Sequence, residues 1–73
     1  MKIKVFHEAA DRYKNKIEYD KTMQQLEKII GGYIKNGIVP QVNWKIYDGV
    51  DIWYILAIMI DDKRGELEFE VEF

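Results

Sequence analysis

Few side chains in this sequence could act as nucleophiles or metal ligands. The 73 residues include one His and one Thr, and neither Cys nor Ser. Acyl transfer would have to use Thr22, which fits a helix-capping position better than a catalytic one. The group His7-Glu8-x-x-Asp11 offers an imidazole and two carboxylates, but those residue types in a polar loop are typical of solvated surface. We therefore expect no catalytic residue, no metal site and no cofactor.

Aromatic and apolar side chains are the stronger candidates for binding. The predicted contact residues of this kind are Trp44, Trp53, Ile55 and Met59. Aromatic rings on a sheet stack on flat ligands or anchor protein partners. In small domains they are as often part of the core, and this alternative stays open.

A second candidate group is basic and lies between two predicted elements. It consists of Arg12, Tyr13, Lys14 and Lys16. Three cations beside a ring could hold an anion or a carboxylate-bearing partner. The alternative is an ordinary solvated loop, which a charged stretch more often forms.

The length allows one domain, residues 1–73, with a small core. A core of this size supplies about 3 to 5 kcal/mol, and small proteins often gain further stability from disulfides, metals or oligomerisation. Because the chain has no Cys, oligomerisation is the natural supplement. We expect a homo-oligomer in a reducing cytoplasm, with a further protein partner or small ligand as options.

Charge and hydropathy disfavour two classes of partner. The net charge is −2 and the pI is about 5.3, which disfavours general nucleic-acid binding. Residues 52–60 are apolar throughout, but nine residues are too few to span a bilayer. We expect no membrane association. The Ile- and Lys-rich composition is typical of low-GC bacteria and their phages.

The hydrophobic periodicity predicts an order of elements. Residues 1–6 alternate between apolar and charged side chains, which predicts a strand with one solvent-exposed face. Apolar residues at three- and four-residue spacing predict a helix that begins after Asn15 or Thr22 and ends at Asn36-Gly37. Beyond Pro40, period-two segments predict three more strands at residues 42–47, 52–60 and 66–73.

This order predicts an α+β fold. One helix packs on a four-stranded mixed sheet in a two-layer sandwich, with the elements in the order β-α-β-β-β. The basic segment 2–16 and the acidic segment 61–73 are complementary in charge.

The pairing register assigns the faces of the sheet. A four-residue loop at 62–65 puts the even positions of segment 52–60 beneath the helix, together with the odd positions of the last strand. The predicted inward residues of segment 52–60 are Tyr54, Leu56, Ile58 and Ile60. Trp53, Ile55 and Met59 then lie on the second face, which would be unusually apolar for a monomer. Trp44 joins them or turns inward, depending on the length of the loop at Asp48-Gly49.

Three segments resemble a family of small sporulation-associated proteins of spore-forming bacteria. They are the opening Met-Lys-Ile-Lys-Val-Phe, a Leu-Glu-Lys helix and the apolar run Ile-Trp-Tyr-Ile-Leu-Ala-Ile-Met-Ile. That family also begins with a strand of the Lys-Val-Lys-Val-Phe type. The chain departs from it in a longer segment 7–19 and an acidic last strand. The resemblance implies a similar strand and helix layout and transfers no active site.

Two functional hypotheses follow. The favoured one is a small non-catalytic protein that acts by protein–protein interaction, such as an inhibitor or regulator from a phage or mobile element. It would self-associate through an exposed sheet edge or through the second face, bearing Trp53, Ile55 and Met59. The alternative is an oligomer that sequesters a flat or nucleotide-like ligand, with a ring stacked on it and Arg12, Lys14 or Lys16 meeting its charge.

Overall fold

A computed structural model describes residues 2–73. It contains four strands, β1 (Lys2–Phe6), β2 (Lys45–Tyr47), β3 (Ile52–Asp61) and β4 (Glu66–Glu72), one long helix, α1 (Lys16–Lys35), and a 3₁₀ turn at Ala10–Arg12. The sheet order is β1-β4-β3-β2, in which β1 and β4 are parallel and the other pairs antiparallel. The predicted α+β fold, one helix on a four-stranded mixed sheet, is confirmed. Met1, included in the predicted first strand, lies outside the described residues.

Both ends of α1 are fixed by local hydrogen bonds. The Asn15 side chain accepts a hydrogen bond from the Glu18 amide at 2.8 Å, so of the two predicted starts Asn15 is the N-cap. At the other end the Ile38 amide donates to the Tyr33 carbonyl, and Gly37 has a φ of 80°. This Schellman closure requires a left-handed residue, for which Gly is the least strained choice.

The core lies between α1 and one face of the sheet. The helix contributes one buried stripe, and all four strands contribute side chains to the layer below it. The buried apolar residues are Val5, Met23, Leu26, Ile30, Ile46, Trp53, Ile55, Phe69 and Val71. The predicted inward position of Phe69 and Val71 is therefore confirmed.

A β-bulge in β3 changes the faces that the sequence predicts. Ile58 pairs with Phe69 and Ile60 with Leu67, in agreement with a four-residue loop at 62–65. The ladder then shifts between Ile55 and Ala57, so that Leu56 has no partner on β4. An extra residue reverses the alternation on one side of the bulge.

The reversal corrects four predicted positions. Trp53 and Ile55 are fully buried beneath α1, whereas the prediction placed them on the second face. Tyr54 and Leu56 were predicted to be in the core and are exposed instead. Met59 does lie on the second face, opposite Glu68.

The outer edge of β1 is covered by side chains of α1. The Val5 amide donates to a Glu27 carboxylate oxygen at 3.3 Å, and the His7 amide donates to the Tyr19 hydroxyl at 3.2 Å. These amides point away from β4, so they would otherwise be free to pair with another strand. Side chains of α1 thus occupy two of the amides along this edge.

No helix among residues 2–73 combines the length and the apolar character needed to cross a bilayer.

The burial of Ile55 distinguishes the bulged register from a regular one, and Ile60, which pairs with Leu67 in both registers, is the control. Ile55 is fully buried, whereas Ile60 is 65% exposed. We expect Ile55→Ala to lower the free energy of unfolding by about 2–5 kcal/mol because it leaves a cavity in the core. Ile60→Ala should lower it by no more than about 1 kcal/mol. Urea denaturation measures both; equal losses, or a larger loss for Ile60→Ala, would contradict the register.

Candidate functional site

Five rings meet at one end of the sheet, and we call them the aromatic cluster: His7, Tyr13, Tyr19, Trp53 and Phe73. They come from the segment after β1, the first turns of α1, the start of β3 and the residue after β4. Because β1 and β4 are parallel and β3 is antiparallel to β4, these positions share one end of the sheet. The topology therefore brings together rings that are far apart in the sequence.

His7 is the centre of the aromatic cluster and is only 6% exposed. Its ring packs edge-on against Trp53, Phe73 and Tyr13, with centroid separations of 5.2, 5.6 and 6.0 Å. Its Nδ1 lies 3.1 Å from the Tyr13 hydroxyl. Edge-to-face packing and this hydrogen bond fix the imidazole in place.

The surroundings of His7 and Tyr13 favour the neutral form of both side chains. Burial lowers the pKa of His7, and the nearby Arg12 guanidinium lowers it further, against the opposing effect of Glu72, Asp11 and Glu70. Burial, followed by the neighbouring Tyr19, raises the pKa of Tyr13. Both groups are therefore neutral near pH 7, which suits a packed structural role.

Trp53 is tied to the β2–β3 hairpin through its indole nitrogen. The indole Nε1 donates to Oδ2 of Asp48 at 2.9 Å, while Oδ1 of Asp48 accepts from the amides of Val50 and Asp51 at 2.8 and 2.7 Å. Burial alone would raise the pKa of Asp48, but these hydrogen bonds, from Asp51 first, outweigh it and the pKa is lowered. The carboxylate thus joins the hairpin loop to the core.

Arg12 and Tyr13 border a cleft beside the aromatic cluster. The Arg12 guanidinium lies 5.1 Å from the centroid of the Phe73 ring, as in a cation–π contact. The cleft has a volume of about 320 Å³, and its walls also carry Glu18, Asp48 and Asp51. Three carboxylates beside one guanidinium disfavour a phosphate-bearing ligand. The Phe73 ring is already covered by Arg12.

The predicted basic group is not brought together. Lys16 pairs with Asp20 at 3.1 Å on the first turns of α1 and borders a different cleft, of about 560 Å³, beside β1. Lys14 is exposed, and its backbone amide donates to Glu18. Arg12 and Tyr13 therefore border the cleft beside Trp53 and Phe73, whereas Lys16 borders clefts on the Tyr19 side of the aromatic cluster.

Trp44 lies on the helix side of the sheet. Its ring packs edge-on against Tyr33 of α1 at 6.4 Å and remains 37% exposed. The hairpin loop has four residues, since Tyr47 pairs with Ile52. The prediction paired this loop with the second face. Trp44 does share a face with Trp53, but the bulge turns that face toward the helix.

Trp53 and Ile55 are not available as contact residues in this chain, because both are fully buried. The exposed apolar residues on the second face are different ones. We define them as the open-face patch: Tyr47, Ile52, Tyr54, Leu56 and Met59. They lie on β2 and β3, and their exposed fractions are between 37% and 64%.

The sequence contained few signals for the residues of the open-face patch and of the aromatic cluster. Segment 52–60 is apolar at every position, so its pattern does not mark which side chains face outward. Asp48 does have a sequence signal, because an Asp at the start of a hairpin loop commonly accepts the amides that follow. His7 has none, since Trp53 and Phe73, the two rings closest to it, are remote in sequence.

A comparison of the chain with known protein families, curated proteins and solved structures found no match.

The lowered pKa of His7 predicts a pH dependence of stability. A buried imidazole with a pKa below its unfolded value of about 6.5 stabilises the fold fully above that pH and loses this contribution as the pH falls. We expect the free energy of unfolding to decrease between about pH 7.5 and pH 5.5. His7→Phe should flatten this part of the profile. Because His7 is the only histidine, an NMR titration reports its pKa directly, and a value above 6.5 would contradict the prediction.

The Asp48 carboxylate should contribute strongly to the stability of the hairpin. Asp48→Ala removes the acceptor of three hydrogen bonds and leaves a buried indole N–H unpaired, so we expect a loss of about 1–3 kcal/mol in the free energy of unfolding. The matched control is Asp51→Ala in the same loop, which retains the backbone amide. Chemical denaturation followed by Trp fluorescence measures both, and equal effects would contradict the assignment.

Proposed function

We propose that this protein is a non-catalytic interaction module that pairs with a second copy of itself through the open-face patch. The observation that supports the proposal is the exposure of five large apolar or aromatic side chains on one side of the sheet, while α1 covers the other. Contiguous apolar surface of this kind is typical of interfaces. The bulge adds to the patch because it turns Leu56 outward.

Charges beside the patch favour a second copy as the partner. Lys45, Tyr54 and Glu72 form a row across the sheet, since Tyr54 pairs with Lys45 on β2 and with Glu72 on β4. A two-fold axis along β3 would place Lys45 of one copy opposite Glu72 of the other, with the two Tyr54 rings at the centre. Such an isologous interface needs a surface complementary to itself, and this row satisfies that condition.

The size of the chain gives a second reason for pairing. A domain of this length buries a smaller share of its apolar surface than a larger one, and an interface supplies burial that the single chain lacks. Aromatic residues at the centre of an interface, with charges at its rim, match the usual distribution of binding energy. Tyr54 would be the central residue of the pair.

A charge-reversal experiment tests the arrangement. We expect Lys45→Glu and Glu72→Lys each to weaken dimerisation by about tenfold, because like charges then face each other. The double variant restores the opposite-charge pairs and should recover most of the affinity. Sedimentation equilibrium measures the dissociation constants. Ile17→Glu is the matched control, because Ile17 is 69% exposed on α1, away from the patch.

Three outcomes would count against the proposal. The first is a protein that remains monomeric at millimolar concentration. The second is a double variant that is weaker than both single variants. The third is a small molecule retained in stoichiometric amount in native mass spectrometry, which would favour the ligand hypothesis. For the variants, circular dichroism distinguishes loss of the interface from loss of the fold.

A further inference from the structure

Three carboxylates converge at the end of the sheet opposite the aromatic cluster. Asp61 is the last residue of β3 and pairs with Glu66, the first residue of β4, while Glu68 follows on the same face. One oxygen from each of the three lies within 4.8 Å of those of the others. We call these residues the acidic triad. The hairpin, not a flexible loop, sets their spacing.

Glu66 provides an independent observation that points to a ligand. The residue is only 9% exposed, and its side-chain Oε2 is buried with no hydrogen-bond donor among residues 2–73. A buried carboxylate oxygen without a donor destabilises the fold unless a cation compensates its charge. The carboxylate that lacks a partner therefore belongs to the group whose oxygens converge.

Neighbouring cations do not supply this compensation. Arg64 contacts Asp61, with its backbone amide 3.2 Å from Oδ1 and its Nε 3.7 Å from Oδ2. Lys2 lies beside Glu66 on β1, but it is exposed, and its ammonium is more than 4.0 Å from any carboxylate oxygen of the described residues. Arg64 thus positions one member of the triad and leaves the other two unpaired.

We propose that the acidic triad binds a calcium ion. Carboxylate oxygens without nitrogen or sulfur ligands suit hard divalent cations. Calcium binds oxygens at about 2.3–2.6 Å, so two oxygens on opposite sides of the ion are about 4.6–5.2 Å apart. The oxygens of the triad lie close enough to share one such ion, and calcium accepts flexible oxygen geometry, whereas magnesium demands a near-ideal octahedron. Waters complete the coordination on the open side of the sheet.

Isothermal titration of calcium into EDTA-treated, dialysed protein tests the site. We expect one ion per chain, with a dissociation constant near about 10⁻⁴ M, in the weaker part of the range for protein calcium sites. Glu66→Gln should weaken binding by at least about tenfold. The matched control is Glu70→Gln on the same strand and face, which should bind as the parent does. Magnesium serves as the competing ion.

Thermal unfolding provides a second readout that does not depend on measured affinity. Without calcium, Glu66→Gln should melt higher than the parent, because it removes an unpaired buried charge and can donate to Asp61 or Glu68. With millimolar calcium the parent should gain several degrees and the variant none, so that their order is reversed. Absence of saturable calcium binding, equal binding by Glu66→Gln, or tighter binding of magnesium would overturn the proposal.

Discussion

The distribution of side chains on the two sides of this sheet depends on one unpaired residue, Leu56. Because it adds a position to β3 without adding one to β4, Ile55 and Trp53 turn toward the helix. Complete burial of each of these side chains stabilises the fold by about 1.5–3 kcal/mol or more. The bulge also places the indole where its N–H can donate a hydrogen bond to the Asp48 carboxylate. The core, the hairpin loop and the exposed face are thus set by the same local irregularity.

The sheet is chemically different at its two ends, and the parallel pairing of β1 with β4 is the reason. Both strands run from charged residues to aromatic ones, so Lys2 lies next to Glu66 at one end and His7 near Phe73 at the other. Rings exclude water from one end, whereas carboxylates gather at the opposite end. A single chain of 73 residues therefore carries a tightly packed aromatic region and a carboxylate-rich one at opposite ends of one sheet.

Sequence periodicity was sufficient to predict the architecture. It was insufficient to predict which side chains of β3 lie on each face of the sheet. The end of the helix and two alternative starts could be predicted because caps such as Asn15 and Gly37 act through bonds to residues close in the sequence, but the choice between Asn15 and Thr22 required the structure. The loop at 62–65 also follows from local pattern. The bulge could not be predicted, because segment 52–60 has apolar side chains on both faces, and either register buries some of them. The aromatic cluster was missed for a different reason: its members become neighbours only through the order of the strands.

The covered edge of β1 limits how far this protein can assemble by adding strands. Glu27 and Tyr19 occupy two amides on that edge, so addition of a strand from a second molecule is favoured beside β2. A filament built by edge-to-edge growth needs two receptive edges in every subunit. Here a strand-to-strand contact can join the β2 edges of two molecules, after which both outer edges are β1 edges. Growth by this route would then stop at two subunits.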